Sequence, residues 1–151
     1  MGSRSPRRRR RNRRVRTAID TNVISALWSK EESAPRIAAA LGEAKNAGGL
    51  VISPAVYAEL LAHPATNEDS VNSFLAETHV EVDFELPRPV WLEACRRFAK
   101  YAVRRRRSGG EGPRRLLPDF IVGAHALTEA DRLMTLDPRR YSRDFPELTL
   151  V

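Results

Sequence analysis

Four carboxylates stand where the sequence could do chemistry: Asp20 closing the apolar run after Arg16, Glu59 inside SPAVYAELLA, Asp119 behind Pro118, and Asp137 after RLMTL. Asp20 and Asp137 follow expected strands, Asp119 begins an expected helix, and Glu59 lies in the helix after the second strand. Ligands of parallel α/β sheets gather just outside the carboxyl ends of the strands, so a parallel sheet lets all four acids converge at one edge. Carboxylates crowded in this way repel one another and raise their own pKa values, a conflict that a divalent cation resolves. With no His or Cys cluster nearby, an oxygen-only donor set favours Mg2+ or Mn2+ over zinc. Such an ion binds phosphate oxygens and activates water, which points to metal-assisted cleavage of nucleic acid. Each acid also has a plain structural reading: Asp20 and Asp119 as helix caps, Asp137 with Pro138 as a turn, Glu59 as a solvated helix residue. Residue type alone leaves both readings open.

The elements that must position these acids alternate along the chain. A first strand ends at Ile19, and a short helix over 22–28 follows, capped by Thr21 or Asn22. Ser33 and Pro35 start a helix through Ile37, Ala40, Leu41 and Ala44 that should stop at Gly48 or Gly49. A buried strand over 50–52 leads to Ser53 and Pro54, which open the helix carrying Glu59, and Pro64 breaks it. Thr66 or Asn67 caps a helix through Val71, Phe74 and Leu75, followed by a strand around Val80 and Val82. Helical spacing covers 89–103, and RRRRSGGEGPRR then reads as a mobile basic flap. After the small-residue helix FIVGAHAL comes a fourth strand over 132–136, and the tail FPELTLV supplies a fifth. Strands alternating with helices give an α/β fold, a three-layer α/β/α sandwich with a mainly parallel sheet of about five strands.

Length, charge and cysteine count bound the rest. At 151 residues with 42% apolar content the chain suits one globular domain. Its net charge of +7 is segregated: residues 4–16 hold nine arginines and no acid, so the remainder is slightly acidic. Residues 1–14 therefore read as a disordered arginine-rich arm, either a phosphate-backbone contact or a solvated extension, ahead of a domain over 15–151. A second basic cluster contains Arg104, Arg105, Arg106, Arg107, Arg114 and Arg115 and is a candidate contact for a nucleic-acid backbone. Cys95 is the single cysteine, which excludes an internal disulfide and reads as filler on a helix's buried face. No apolar run approaches the roughly 20 residues that cross a bilayer, and the expected address is the cytoplasm, without membrane contact. His125 is expected to pack or to bond within its helix, and His63 to complement a helix dipole.

The segments AIDTNVIS, SPAVYAELLAHP, LPDFIVGAHAL and MTLDPRRYSRDFPELTLV, in that order and spacing, resemble the PIN-domain ribonucleases, in particular the VapC-type toxins of bacterial toxin-antitoxin pairs. The resemblance runs from about residue 16 to residue 151. It implies that Asp20, Glu59, Asp119 and Asp137 form the acidic metal site, with Asn22 and Thr135 as supporting polar residues. Asp20, Asp119 and Asp137 are then the metal ligands, and Glu59 acts through water. It further implies a Mg2+- or Mn2+-dependent endoribonuclease, a homodimer, and a VapB-like antitoxin that covers the site. The arginine arm and the basic glycine-rich insert depart from the family pattern and bear on substrate and partner contacts.

Rival α/β readings lack their residues. A haloacid-dehalogenase-like phosphotransferase needs a second acid where Asn22 stands, and a receiver domain needs a late lysine, whereas the chain's lysines are Lys30, Lys45 and Lys100. No phosphate-binding glycine loop is present. The remaining alternatives are a non-enzymatic PIN-like RNA-binding module and a PIN nuclease of RNA processing without an antitoxin.

Overall fold

Short strands, the central β1 and β2 fully buried, and the helices between them build a four-stranded sheet in the computed structural model, which describes residues 13–112 and 114–151. The elements run β1 (Thr17–Ile19), α1 (Thr21–Trp28), α2 (Ala34–Ala47), β2 (Leu50–Ile52), α3 (Pro54–Leu61), α4 (Glu68–Thr78), β3 (Val80–Val82), α5 (Arg88–Arg107), α6 (Leu117–Glu129), β4 (Arg132–Met134) and α7 (Arg139–Ser142). The strand order is β3-β2-β1-β4 and every pairing is parallel. Because β1 has β2 on one side and β4 on the other, the order reverses at β1, which opens a crevice beyond its carboxyl end. Asp20 occupies that crevice.

The sheet has four strands rather than five. The tail pairs with β4 only at its last residues, through a parallel bridge from Leu133 to Leu150 and bonds such as Thr135 N to Val151 O at 3.1 Å. Two helix boundaries also differ from expectation. Helix α1 is capped by Asp20 itself, whose Oδ1 accepts from Thr21 N at 2.8 Å, rather than by Thr21 or Asn22. Helix α5 continues through Arg104, Arg105, Arg106 and Arg107, so the expected flap begins only at Ser108. Arginine is a good helix former, and nothing in the run breaks the pattern before the glycines. Cys95 is exposed, not buried: in α5 the buried positions are Val90, Ala94 and Tyr101, and Cys95 falls on the next face. The expected arm lies outside the described residues as far as residue 12, while Arg13 pairs with Asp131 at 3.0 Å.

Caps explain much of the local order. Asn67 and Ser70 bond each other's backbone N–H groups at the start of α4, and Ser53 Oγ accepts from Val56 N at the start of α3. Gly48 ends α2 where a Cβ would lie 2.4 Å from Val15 N, so glycine there lets Val15 N donate to Ala47 O and align β1. In α6, Gly123 packs directly on the buried Phe145 ring. His125 of the same helix is 1% exposed, and its Nε2 donates to Asp83 Oδ2 at 2.8 Å. Arg16 reaches the other Asp83 oxygen at 3.1 Å, so the buried histidine bonds to a neighbouring element. At the end of α3, His63 Nδ1 meets Pro64 O and its ring stands edge-on to Trp28. No helix among the described residues is long and apolar enough to cross a membrane.

Candidate active site

Asp20 is the centre of a bonded network at the switch point. It is 3% exposed, and its Oδ2 accepts from both Thr135 Oγ1 and Tyr141 OH at 2.9 Å. With Thr21 N on Oδ1, three donors fix the carboxylate plane. Asn22 crosses from α1 to the turn after β4, donating to Thr135 Oγ1 at 3.4 Å and accepting from Leu136 N at 3.1 Å. Asp137 N donates to Thr135 Oγ1 at 3.1 Å. The residues after β1 and β4 are thus tied into one unit.

The other acids arrive on helices. Asp119 sits in the first turn of α6, where Leu116 N approaches its Oδ2 at 3.5 Å. Glu59 projects from the second half of α3. Burial raises the Glu59 pKa, followed by the charges of Asp20 and Asp119; the Arg140 charge and the Thr21 hydroxyl oppose them. Asp119 is raised chiefly by burial and further by Asp20, against the charges of Arg140 and Arg115 and the Leu116 amide. Three of the acids therefore sense one another. Asp137 is linked to them through Arg140, whose Nε lies 3.5 Å from Asp137 Oδ2 and whose terminal nitrogen lies 3.7 Å from Asp119 Oδ1. Burial costs that guanidinium, yet the charges of Asp119 and Asp20 hold its pKa above the ordinary value.

Two residues of this centre carried no expectation. Tyr141 is fully buried; burial, then the charge of Asp20 and the bond to it, pushes its phenol pKa well up, so it stays a donor. Arg140 supplies the internal cation. Both lie in the segment DPRRY, where the DP turn drew attention to the acid before it, and an arginine pair on a charged surface gives no sign of which member turns inward. Of the candidate RNA contacts, Arg104 is bound to the mostly buried Asp144, and Arg105 donates to Gly112 O at 3.1 Å. Arg106 and Arg107 complete the same last turn of α5. Arg115 is anchored through its backbone N to Tyr101 OH at 2.7 Å, and Arg114 is exposed beside it.

A divalent ion suits the donor chemistry but not a finished ligand shell. Among the described residues, no three His, Cys, Asp or Glu side chains stand close enough to hold a metal directly. The oxygens are nonetheless of the right kind, and Glu59 and Asp119 are both raised in pKa by desolvation and by the charge of Asp20. Those features fit a hydrated Mg2+-type ion, which keeps several of its own waters.

The PIN domain family model matches residues 17–146. The chain belongs to the PIN domain family. Solved structures share the PIN fold at low identity. A chain of VapBC2 from Rickettsia felis, bound to a DNA fragment from their promoter, is 17% identical with a TM-score of 0.64, over 90% of this chain and 97% of that one. A chain of VapBC-1 from nontypeable Haemophilus influenzae is 22% identical with a TM-score of 0.61, over 90% and 96%. Comparison with curated proteins gives no match. The matched span takes in all four acids of this PIN domain, together with Arg140 and Tyr141.

Proposed function

We propose that this PIN domain is a metal-dependent endoribonuclease and the toxin of a type II toxin-antitoxin pair, acting as a homodimer and held in check by a VapB-like antitoxin. The observation that carries the nuclease reading is the meeting of Asp20, Glu59 and Asp119, with Asp137 joined through Arg140, at the crevice beyond β1. The likeness to chains of two VapBC structures supports the toxin reading.

Asp20, Asp119 and Asp137 would hold Mg2+ or Mn2+, with Glu59 acting through water. When bound, such an ion lowers the pKa of water and offsets charge on a phosphodiester. The chain's own contribution is orientation. Thr135 and Tyr141 fix Asp20, Asn22 fixes Thr135, and the backbone N of Asp137 bonds to the same hydroxyl. Arg140 neutralises Asp119 and Asp137 before substrate arrives and offers a guanidinium to the incoming phosphate. Arg105, Arg106, Arg107, Arg114 and Arg115 line the approach and contact the RNA backbone.

RNA cleavage assayed with Mn2+, with chelator, and with Asp20→Asn tests the chemistry. Cleavage by the parent protein with Mn2+ alone is the expected result. Equal activity in chelator or in the variant would remove the metal mechanism, and tight binding without cleavage would leave an RNA-binding module. Expression should arrest growth, and co-expression of an adjacent small open reading frame should relieve the arrest. Harmless expression of the folded chain would end the toxin reading.

A further inference from the structure

The donors around Asp20 leave that carboxylate a single open position. Each carboxylate oxygen offers two lone pairs, about four acceptor sites for the group. Oδ2 has both of its own filled, by the hydroxyls of Thr135 and Tyr141 at 2.9 Å. Oδ1 takes Thr21 N at 2.8 Å, and no second donor reaches it among the described residues. Neither hydroxyl is free to turn away. Thr135 Oγ1 accepts from Asp137 N at 3.1 Å and from Asn22 Nδ2 at 3.4 Å, which leaves its one proton for Asp20. Tyr141 is fully buried, and burial with the charge of Asp20 disfavours its phenolate, so it too can only donate. A phenylalanine ring would fill the same buried place, so packing gives no reason for the Tyr141 hydroxyl, whose hydrogen bond goes to Asp20. The neighbouring acids are held more loosely: Leu116 N approaches Asp119 at 3.5 Å, and Arg140 stands 3.5 Å from Asp137. Asp20 is the acid whose open position the fold fixes.

We propose that Tyr141 is a cation-selecting residue: with Thr135 it closes Oδ2, restricts Asp20 to holding a divalent ion through Oδ1 alone, and so favours Mg2+ and Mn2+ over Ca2+. The inference rests on the metal-dependent reading of the acidic centre and adds to it the residue that sets which ion the centre takes. Ca2+ gathers roughly six to eight oxygens and accepts both oxygens of one carboxylate, whereas Mg2+ holds to a near-octahedral shell of waters and single carboxylate oxygens. A carboxylate with one lone pair to offer satisfies the second demand and fails the first. Tyr141 acts here through Asp20, as a positioning residue, and its role is separate from the buried packing of its ring.

Calorimetric titration of the full chain with Mn2+, Mg2+ and Ca2+ tests this, with melts in chelator as the folding baseline of each variant. The parent should bind Mn2+ and Mg2+ ahead of Ca2+. Tyr141→Phe keeps the ring and frees a lone pair on Oδ2, so the ratio of Mn2+ to Ca2+ affinity should fall about tenfold, the scale of one contact to a charged group. Thr135→Val opens the same oxygen from its other side and should move the ratio in the same direction. Thr135→Ser keeps the hydroxyl and should keep the parent's ratio. A purely structural role for Tyr141 would weaken all three ions alike, so the ratio is the quantity that decides. An unchanged ratio in Tyr141→Phe, or a parent that takes Ca2+ as tightly as Mn2+, would overturn the proposal and leave the metal-dependent nuclease reading in place. A parent that binds none of the three ions would overturn both. If the ratio shifts as expected but the Mn2+-loaded parent cuts no RNA, Tyr141 keeps its role and the nuclease reading fails.

Discussion

Glu59 is open to solvent on one side, yet partial desolvation at the crevice and the charges of Asp20 and Asp119 all disfavour its anion, so it carries a proton more readily than an ordinary glutamate. A carboxyl whose folded pKa is raised contributes stability fully below its unfolded value, near 4.5, and loses it as pH rises through the folded value. In the metal-free protein, Glu59 should therefore cost stability at neutral pH. Glu59→Gln removes the charge, so in chelator the variant should resist urea better than the parent at pH 7, and the gap should close toward pH 4. A gap of constant size across that range would show that the charge is not its cause. Tyr141 makes the opposite case. Its hydroxyl is a buried donor to Asp20, and Tyr141→Phe leaves that oxygen one donor short inside the fold. Thr135 still donates to the same oxygen, so the expected loss in chemical denaturation is about 1.5–3 kcal/mol, the range for one hydrogen bond to a charged group.

Helix α6 shows how an element can be legible as a helix and opaque as a packing unit. The run FIVGAHAL announces close contact through its small residues, and the helix lies where the spacing puts it, with Asp119 in its first turn. What the run does not say is that Gly123 meets Phe145, 22 positions later, at a distance that excludes even a methyl group. Gly123→Ala should thus destabilise the domain by about 1–3 kcal/mol despite alanine's better helix propensity, because overpacking outweighs it. Equal or greater stability of that variant would mean that the ring moves aside freely. The same limit runs through the site. Asp20, Asp119, Asp137 and Glu59 could be picked out because each follows a strand or sits in a helix whose boundaries are written locally by Pro, Gly, Ser and Asn. Tyr141 and Arg140 could not, since their inward direction depends on how α7 settles over the crevice. The fifth strand was misjudged for a related reason: an apolar tail declares burial, but not how many residues find a ladder partner. Cys95 failed on a single step of helical phase, with Ala94 taking the buried position.

At the scale of the molecule, acids gather at one edge of the sheet, with Arg140 among them and Arg115 near Asp119, while other arginines of α5 and α7 line a separate cavity. Without an ion, that edge holds carboxylates of raised pKa and one internal guanidinium, so its electrostatics oppose folding in part. An ion that binds only the folded state adds stability as RT ln(1 + [L]/Kd), about 2.7 kcal/mol when the free ion is a hundred times its Kd. For a domain of this size that corresponds to a rise in Tm of roughly 5–10 °C. Mn2+ should therefore raise the melting temperature of the parent protein, and Asp119→Asn should lose most of the shift. Arg140 rests against Asp119 and Asp137, where it competes with any cation drawn to them. Arg140→Gln should consequently melt earlier in chelator and reach its Mn2+-stabilised plateau at a lower ion concentration than the parent. A parent Tm that does not move with Mn2+ would dismiss the ion from the centre, and an Arg140→Gln titration that overlays the parent would show that the guanidinium stands clear of the ion's place.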